Sequence, residues 1–167
     1  MKKNGPILRL KNGKFKINLS NEHREVLQHL IEQLRDSLMS ANDDASLRRL
    51  FPTAYHNDAL KDAEYQRLMR DELLASRLAS TETALLVIAD QEEIDAESID
   101  GFSRSINSMR LVIGTNLDIS ESDYNKSNEN STDGADDDLD DHDVQKELYE
   151  YLGWLLEWTV MAQSEGL

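Results

Sequence analysis

The chain has 167 residues, 39% of them hydrophobic, which is enough to bury a sizeable core in one domain. Its formal net charge of −15 disfavours autonomous binding to nucleic acid, because such binding depends on basic residues that displace counterions from phosphates. The absence of cysteine excludes a disulfide, a thiolate nucleophile and a zinc site with cysteine ligands.

The sequence contains no candidate membrane span or signal peptide. Its longest uncharged apolar run, ALLVIA at residues 84–89, is far shorter than the roughly 20 residues that a membrane-spanning helix needs. Residues 1–16 alternate apolar side chains with lysine and arginine, unlike the continuous apolar core of a signal peptide. We therefore expect a cytoplasmic protein that does not bind membranes.

The N-terminal segment is predicted to form a β-hairpin. Two short alternating stretches, near residues 7–10 and 14–19, flank the dipeptide Asn12-Gly13. The tight turn of a hairpin requires positive φ at both central residues, and asparagine and glycine adopt positive φ more readily than other residues.

Helical patterns follow the hairpin. Ser20 or Asn21 can cap a first amphipathic helix that ends near Ser40, and a short helical turn at 45–50 stops before Pro52. From Asp62 the apolar spacing predicts one long helix, or two helices broken near Ser80.

A further helix is predicted to begin near Ile99 and to end at Gly114, a favourable helix stop. Residues 118–143 contain eleven acids, one lysine and few apolar residues, so burial cannot offset the entropy of ordering them. We predict a mainly α fold: a bundle of about four to six helices with a short N-terminal β-hairpin and a long acidic loop before the last helix. One domain, 1–167, would comprise a basic hairpin arm at 1–19, a helical core at 20–117, an acidic, disordered loop at 118–143 and a C-terminal core helix at 144–162.

No cofactor or metal site is predicted. His23 and His29 are six residues apart, which misses the i, i+4 spacing of a helical metal pair. The acidic stretch STDGADDDLDD, residues 131–141, lacks the Asp and the final Glu that a calcium loop requires.

Two charged residues lie in apolar surroundings, Arg110 in MRLVI and Glu157 in LLEW. Because an unpaired buried charge is costly, we predict that the two helices pack with Arg110 and Glu157 as an ion pair. The alternative is that each side chain points outward from the edge of its helix.

Two sets of side chains are candidate partner-binding residues. The aromatic residues Tyr151, Trp154 and Trp158 share a helical face that is typical of a core, but that would mark a homodimer or partner surface if exposed. The corner between helices is typical of packing, with partner docking as the alternative, and no nucleophile, metal cluster or glycine-rich phosphate loop accompanies it. Its candidate residues are Arg48, Arg49, Tyr55, His56 and Tyr65.

Four stretches in one order resemble the actinobacterial oxidative-stress transcriptional regulator family, also called AosR-like and formerly described as a domain of unknown function. They are LFPTAY, EYQRLMRDELLASRLA, NSMRLVIGTNLDIS and YEYLGWLLEWTV, within about residues 45–162. The resemblance implies an actinobacterial protein that influences stress-responsive transcription by contacting RNA polymerase or a sigma factor. It also implies a link to Clp-type proteolysis, since family members are often encoded beside a Clp adaptor.

The family's redox sensing through paired cysteines cannot apply to this chain, because it contains no cysteine. The first hypothesis is thus a noncatalytic regulatory protein that acts through protein contacts, without specific binding to nucleic acid. The alternatives are a proteolysis adaptor or scaffold, and an enzyme with a site at Arg48, Tyr55, His56 and Arg110, whose residue types suggest no mechanism.

Overall fold

The computed structural model describes the backbone of residues 4–40, 45–52, 54–89, 92–127 and 136–165. Its elements are β1 (Ile7–Arg9), β2 (Phe15–Ile17), α1 (Asn21–Ser40), a short 3₁₀ helix (Ala45–Leu47), α2 (Ala59–Ala89), α3 (Ala96–Ser127) and α4 (Asp136–Ser164). The predicted fold class, mainly α with a short N-terminal β-hairpin, is confirmed. Within the described residues, no helix has the length and apolar character of a membrane span.

The hairpin forms at the predicted turn and belongs to the core. Gly13 has a φ of 84°, the left-handed conformation that glycine adopts without steric cost. β1 and β2 pair antiparallel, and Ile7, Phe15 and Ile17 are buried. Phe15 also exchanges two backbone hydrogen bonds of 2.8 Å with Ile94, in the connection between α2 and α3. The basic segment is therefore anchored to the helices at its apolar face.

The start of α1 is fixed by Ser20, whose Oγ accepts a hydrogen bond from the His23 backbone N–H at 3.3 Å. The predicted end at Ser40 is confirmed. One face of α1 is buried in the core, namely Leu27, Ile31, Leu34 and Leu38.

The second helix is continuous, which decides between the two patterns that the sequence allowed. Ser80 is buried within it, and the Thr81 hydroxyl donates to the Leu78 carbonyl at 2.7 Å. Because that hydroxyl is satisfied inside its own helix, burial requires no break at this point. Asp58 starts the helix, its carboxylate accepting from the Lys61 backbone N–H at 3.1 Å.

The predicted stop at Gly114 is wrong, because α3 continues to Ser127. Thr115 directly follows Gly114, is fully buried and donates its hydroxyl to the Leu111 carbonyl at 2.8 Å. Gly114 lies close to α4, since a Cβ built there would be 3.1 Å from the Tyr149 ring. The absence of a side chain at Gly114 lets the two helices pack closely. Glycine's preference for helix C-termini, on which the prediction was based, does not account for this role.

The helices also extend into the acidic segment. α3 includes residues 118–127 and α4 includes residues 136–143, so these parts are helical where a loop was predicted. The backbone hydrogen bonds of a helix are internal, so a polar segment can be helical without burying side chains to satisfy its backbone. Residues 128–135 lie outside the described residues, as do the side chains of 119–127 and 136–140, and with them most of the stretch compared with a calcium loop.

The helices pack in sequence order, α1 on α2, α2 on α3 and α3 on α4, while β1 contacts α4. Two arginines fasten the hairpin to this arrangement. Arg24 donates to the carbonyls of Ile17 at 2.8 Å and Ile88 at 2.7 Å, which joins β2 to the end of α2. Arg9 donates to the carbonyls of Ala162 and Gln163, the last turn of α4.

Candidate protein-binding groove

An open apolar groove of about 610 Å³ lies between α1 and α4. Val26 and Val144, on opposite walls, are 45% and 54% exposed. Its lining residues are Glu25, Val26, His29, Leu30, Gln33, Val144 and Leu148. The two valines are thus exposed in the isolated chain, and the two leucines are half-buried.

The groove results from the width of the apolar stripe on α1. Leu27 and Ile31 are buried in the core, and the neighbouring Val26 and Leu30 extend the stripe beyond it. Successive residues on a helix are about 100° apart, so Val26 and Leu30 lie at the edge of the buried face. Sequence periodicity assigned Val26 to the same apolar face, and it could not distinguish its edge from its centre.

Aromatic residues lie near one end of the groove. The Tyr151 hydroxyl is 3.2 Å from Nδ1 of His23, and the two rings meet edge to face with centroids 5.3 Å apart. Burial raises the pKa of the Tyr151 hydroxyl above its usual value. Trp154 follows on α4, its ring 5.8 Å from that of Tyr151, and is 44% exposed.

Trp158, the third aromatic residue of the predicted stripe, has a structural contact. A Cβ built at Gly5 would be 2.3 Å from the Trp158 ring, so the indole lies directly against the backbone before β1. The predicted stripe is therefore divided: Trp158 packs on the N-terminal segment, whereas Trp154 faces solvent.

Residues 6–163 match a protein family described as "Domain of unknown function (DUF2017)". The chain belongs to this family. The match includes the hairpin, both walls of the groove and the aromatic residues. No curated protein and no solved structure matches the chain.

In this member of the DUF2017 family, hydrogen bonds and ring contacts hold the corner that precedes α2. The Asp62 carboxylate accepts hydrogen bonds from the backbone N–H groups of Ala54 at 2.8 Å and Tyr55 at 3.2 Å. The rings of Tyr55 and Tyr65 meet edge to face at 6.4 Å. Phe51 is nearly buried beneath the Arg70 guanidinium, 4.5 Å from its ring centroid.

The remaining candidates at this corner are exposed. Arg48, Tyr55 and His56 present much of their side chains to solvent, and Arg49 forms an ion pair with Asp118 on α3. The structure thus brings Tyr55 and Tyr65 together but directs Arg49 to a different contact.

A second, polar cleft of about 430 Å³ separates the start of α4 from α3. Arg49 lies in it, whereas Arg48, Tyr55, His56 and Arg110 do not, so the residues of the enzyme hypothesis do not line this cleft. Basic and acidic side chains alternate around it. Its lining residues are Arg49, Gly114, Leu117, Asp118, His142, Lys146, Tyr149 and Glu150.

The predicted ion pair between Arg110 and Glu157 is not among those in the described part of the DUF2017 chain. The Arg110 guanidinium carbon instead lies 4.8 Å from the centroid of the Tyr149 ring, a cation–π contact between α3 and α4. Glu157 is exposed, the outcome that the alternative interpretation described. The helices pack as predicted, but the rotation of α4 places Tyr149 against the arginine.

Metal-ligating side chains do not converge anywhere in the described ranges, where no three His, Asp or Glu residues could hold one ion. The groove and the backbone contacts of Arg24 and Arg9 were not predicted from the sequence. Only the apolar residues at the stripe edges, Val26 and Val144, carried a signal that could have indicated the groove.

Proposed function

We propose that this chain is a noncatalytic regulatory protein that acts through protein–protein contacts, with RNA polymerase or a sigma factor as its partner in stress-responsive transcription. The observation that supports a protein partner is the groove between α1 and α4, whose Val26 and Val144 are about half exposed. A contiguous apolar surface rimmed by polar residues is typical of a protein interaction site.

The polar cleft supports the noncatalytic part of this proposal. Arg49 is paired with Asp118, so its charge is already engaged. No Ser, Thr or Cys lies among the lining residues, and the groove itself is lined mainly by apolar side chains. Neither concavity therefore offers the serine, threonine or cysteine nucleophile of a Ser–His or Cys–His arrangement.

The transcriptional role rests on the resemblance of the four sequence stretches to oxidative-stress regulators. Because the chain has no cysteine, it cannot carry a thiol switch, and we propose that a response to oxidant originates in the partner and reaches this protein through their contact.

Affinity capture from a lysate of the source organism, with and without oxidant, tests the proposal. The variant Trp154→Ala removes an exposed ring at the end of the groove, and Leu86→Ala removes a 73% exposed side chain from α2 as a matched control. We expect the wild-type chain and Leu86→Ala to retain RNA polymerase or a sigma factor, and Trp154→Ala to retain several-fold less.

Two results would contradict the proposal. Retention of Clp protease subunits in place of the transcription machinery would assign the chain to proteolysis as an adaptor. Equal retention by wild type and Val144→Asp, which places a charge on the groove wall, would place the contact away from the groove.

A further inference from the structure

We propose that the groove between α1 and α4 binds an amphipathic helix of the partner, one that carries lysine or arginine beside its apolar stripe. This inference rests on the proposed function in one respect, namely that the groove contacts protein. It adds the conformation and the charge of the bound segment.

Both helices of the groove carry exposed acidic residues, one of which is in its lining. Glu25 is among its lining residues, Glu22 lies one turn before Val26 on α1, and Glu147 lies between Val144 and Tyr151 on the exposed side of α4. All three glutamates are exposed, and none belongs to an ion pair of the described residues. No lysine or arginine lines the groove. A cationic segment would therefore meet unpaired carboxylates on either side.

A helix fits the walls of this groove better than a strand or a small molecule does. Both walls are helices whose apolar residues recur three or four positions apart, Val26 and Leu30 on one side and Val144 and Leu148 on the other. An apolar stripe at the same spacing on a third helix can lie along both walls. A small ligand would stay largely exposed here, whereas typical ligand pockets bury roughly 70–90% of the ligand surface.

A second copy of the chain is a poorer occupant. A symmetric dimer through this groove would bring Glu22, Glu25 and Glu147 of both protomers into one interface. Each protomer has a net charge of −15, so the approach of two identical acidic surfaces is unfavourable.

Two synthetic helical peptides provide the test. Both carry leucine at i, i+4, i+7 and i+11, but one has lysine and the other glutamate at the positions that flank the stripe. Binding to the wild-type protein is measured by isothermal titration calorimetry. We expect the lysine peptide to bind at least about tenfold more tightly, with a preference that shrinks as added salt screens the charges.

Two protein variants locate the binding. Glu25→Lys/Glu147→Lys should weaken the lysine peptide by about three- to tenfold and strengthen the glutamate peptide, because exposed ion pairs are of this magnitude. Val144→Asp should weaken both peptides by more than about tenfold, since it places a charge on the apolar wall. Both variants change exposed side chains, and unchanged circular dichroism and melting temperature establish that they fold.

Each remaining result overturns the inference. Equal affinity for the two peptides, or no effect of Glu25→Lys/Glu147→Lys, excludes the lysine or arginine proposed beside the apolar stripe of the bound helix. A lack of binding to either peptide excludes a helix as the occupant. If the wild-type chain still captures RNA polymerase or a sigma factor in that case, and Trp154→Ala captures less, the proposed function stands and only this inference fails. Dimerisation through the groove, detected by sedimentation and abolished by Val144→Asp, would make a second copy the occupant.

Discussion

At the contact between α3 and α4, the space around each interior glycine determines whether alanine can replace it. Gly114 and Gly153 both lie in the middle of a helix, where glycine is about 1 kcal/mol less favourable than alanine. A Cβ at Gly114 would be 3.1 Å from the Tyr149 ring and 3.2 Å from the Arg49 guanidinium, closer than ordinary contact. A Cβ at Gly153 would be 3.4 Å from Nε of Arg110, which is within ordinary contact.

We predict opposite effects of the same substitution at these two positions. Gly153→Ala should stabilise the protein by about 0.5–1 kcal/mol through helix propensity. Gly114→Ala should destabilise it by about 1 kcal/mol, because the added methyl group would displace the Tyr149 ring from its contact with Arg110. Urea unfolding of both variants measures the difference, and stabilisation by Gly114→Ala would mean that Tyr149 and Arg49 relax freely.

The residue that Arg110 contacts could not be predicted from its neighbours in the sequence. Its apolar context correctly indicated that the side chain needs a favourable contact between two helices. Whether that contact is a carboxylate or an aromatic ring depends on how α4 is rotated about its axis. Tyr149 and Glu157 are two helical turns apart, and the sequence pattern around each of them is compatible with the same packing.

At the scale of an element, the start of α3 depends on Asp95. Its carboxylate accepts a hydrogen bond from the Ser98 backbone N–H at 2.7 Å. That bond, and a further one from the Ser98 hydroxyl, hold the pKa of Asp95 below its usual value of 3.8. The charged form is thus favoured in the folded state, and its contribution is present above the unfolded pKa and lost as the pH falls through the folded pKa.

The variant Asp95→Asn keeps a capping oxygen but cannot be ionised. We predict that wild type is more stable than Asp95→Asn at neutral pH and that the difference disappears below the folded pKa of Asp95. Thermal unfolding of both proteins between neutral pH and acid measures this. A difference that stays constant over the whole range would show that the charge contributes nothing.

Arg24 connects three elements through hydrogen bonds to backbone carbonyls. Its guanidinium reaches Leu19 before α1, Ile17 in β2 and Ile88 at the end of α2. We predict that Arg24→Met destabilises the protein by about 2–4 kcal/mol, because hydrogen bonds from a charged donor are lost and carbonyls are left unsatisfied.

Arg104→Met is the matched control. Arg104 pairs only with the exposed Asp100 one turn away, and such a pair contributes at most about 0.5 kcal/mol. Chemical denaturation distinguishes the two arginines, and equal losses would mean that the Arg24 contacts are not structural.

The elements themselves were largely predictable from periodicity and turn chemistry. Asn12-Gly13 located the hairpin, and Ser20 and Ser40 bounded α1, because these signals act within a few residues. The end of α3 was not predictable, since Gly114 lies inside the helix and makes room for Tyr149, a residue 35 positions later in the chain. The groove escaped prediction for a related reason: a stripe of apolar residues does not reveal which of its edges another helix leaves uncovered.

At the scale of the whole molecule, charge governs what can approach the protein. The chain has 18 basic and 33 acidic residues, and two cations of the hairpin are engaged, Arg9 with the end of α4 and Lys14 with Glu93. We predict no sequence-specific DNA complex at physiological salt. Fluorescence anisotropy with promoter DNA measures this, and a nanomolar complex that resists added salt would contradict it.

The contact between β1 and α4 has a consequence for biosynthesis. Arg9 bonds to the carbonyl of Ala162, 153 positions later in the chain. A ribosome adds roughly 5–20 residues per second, so β1 waits many seconds after its own synthesis for the helix that covers it. During that interval, the side of the N-terminal segment that Trp158 later covers at Gly5 is open to other nascent chains and to chaperones, and we expect premature association to begin there.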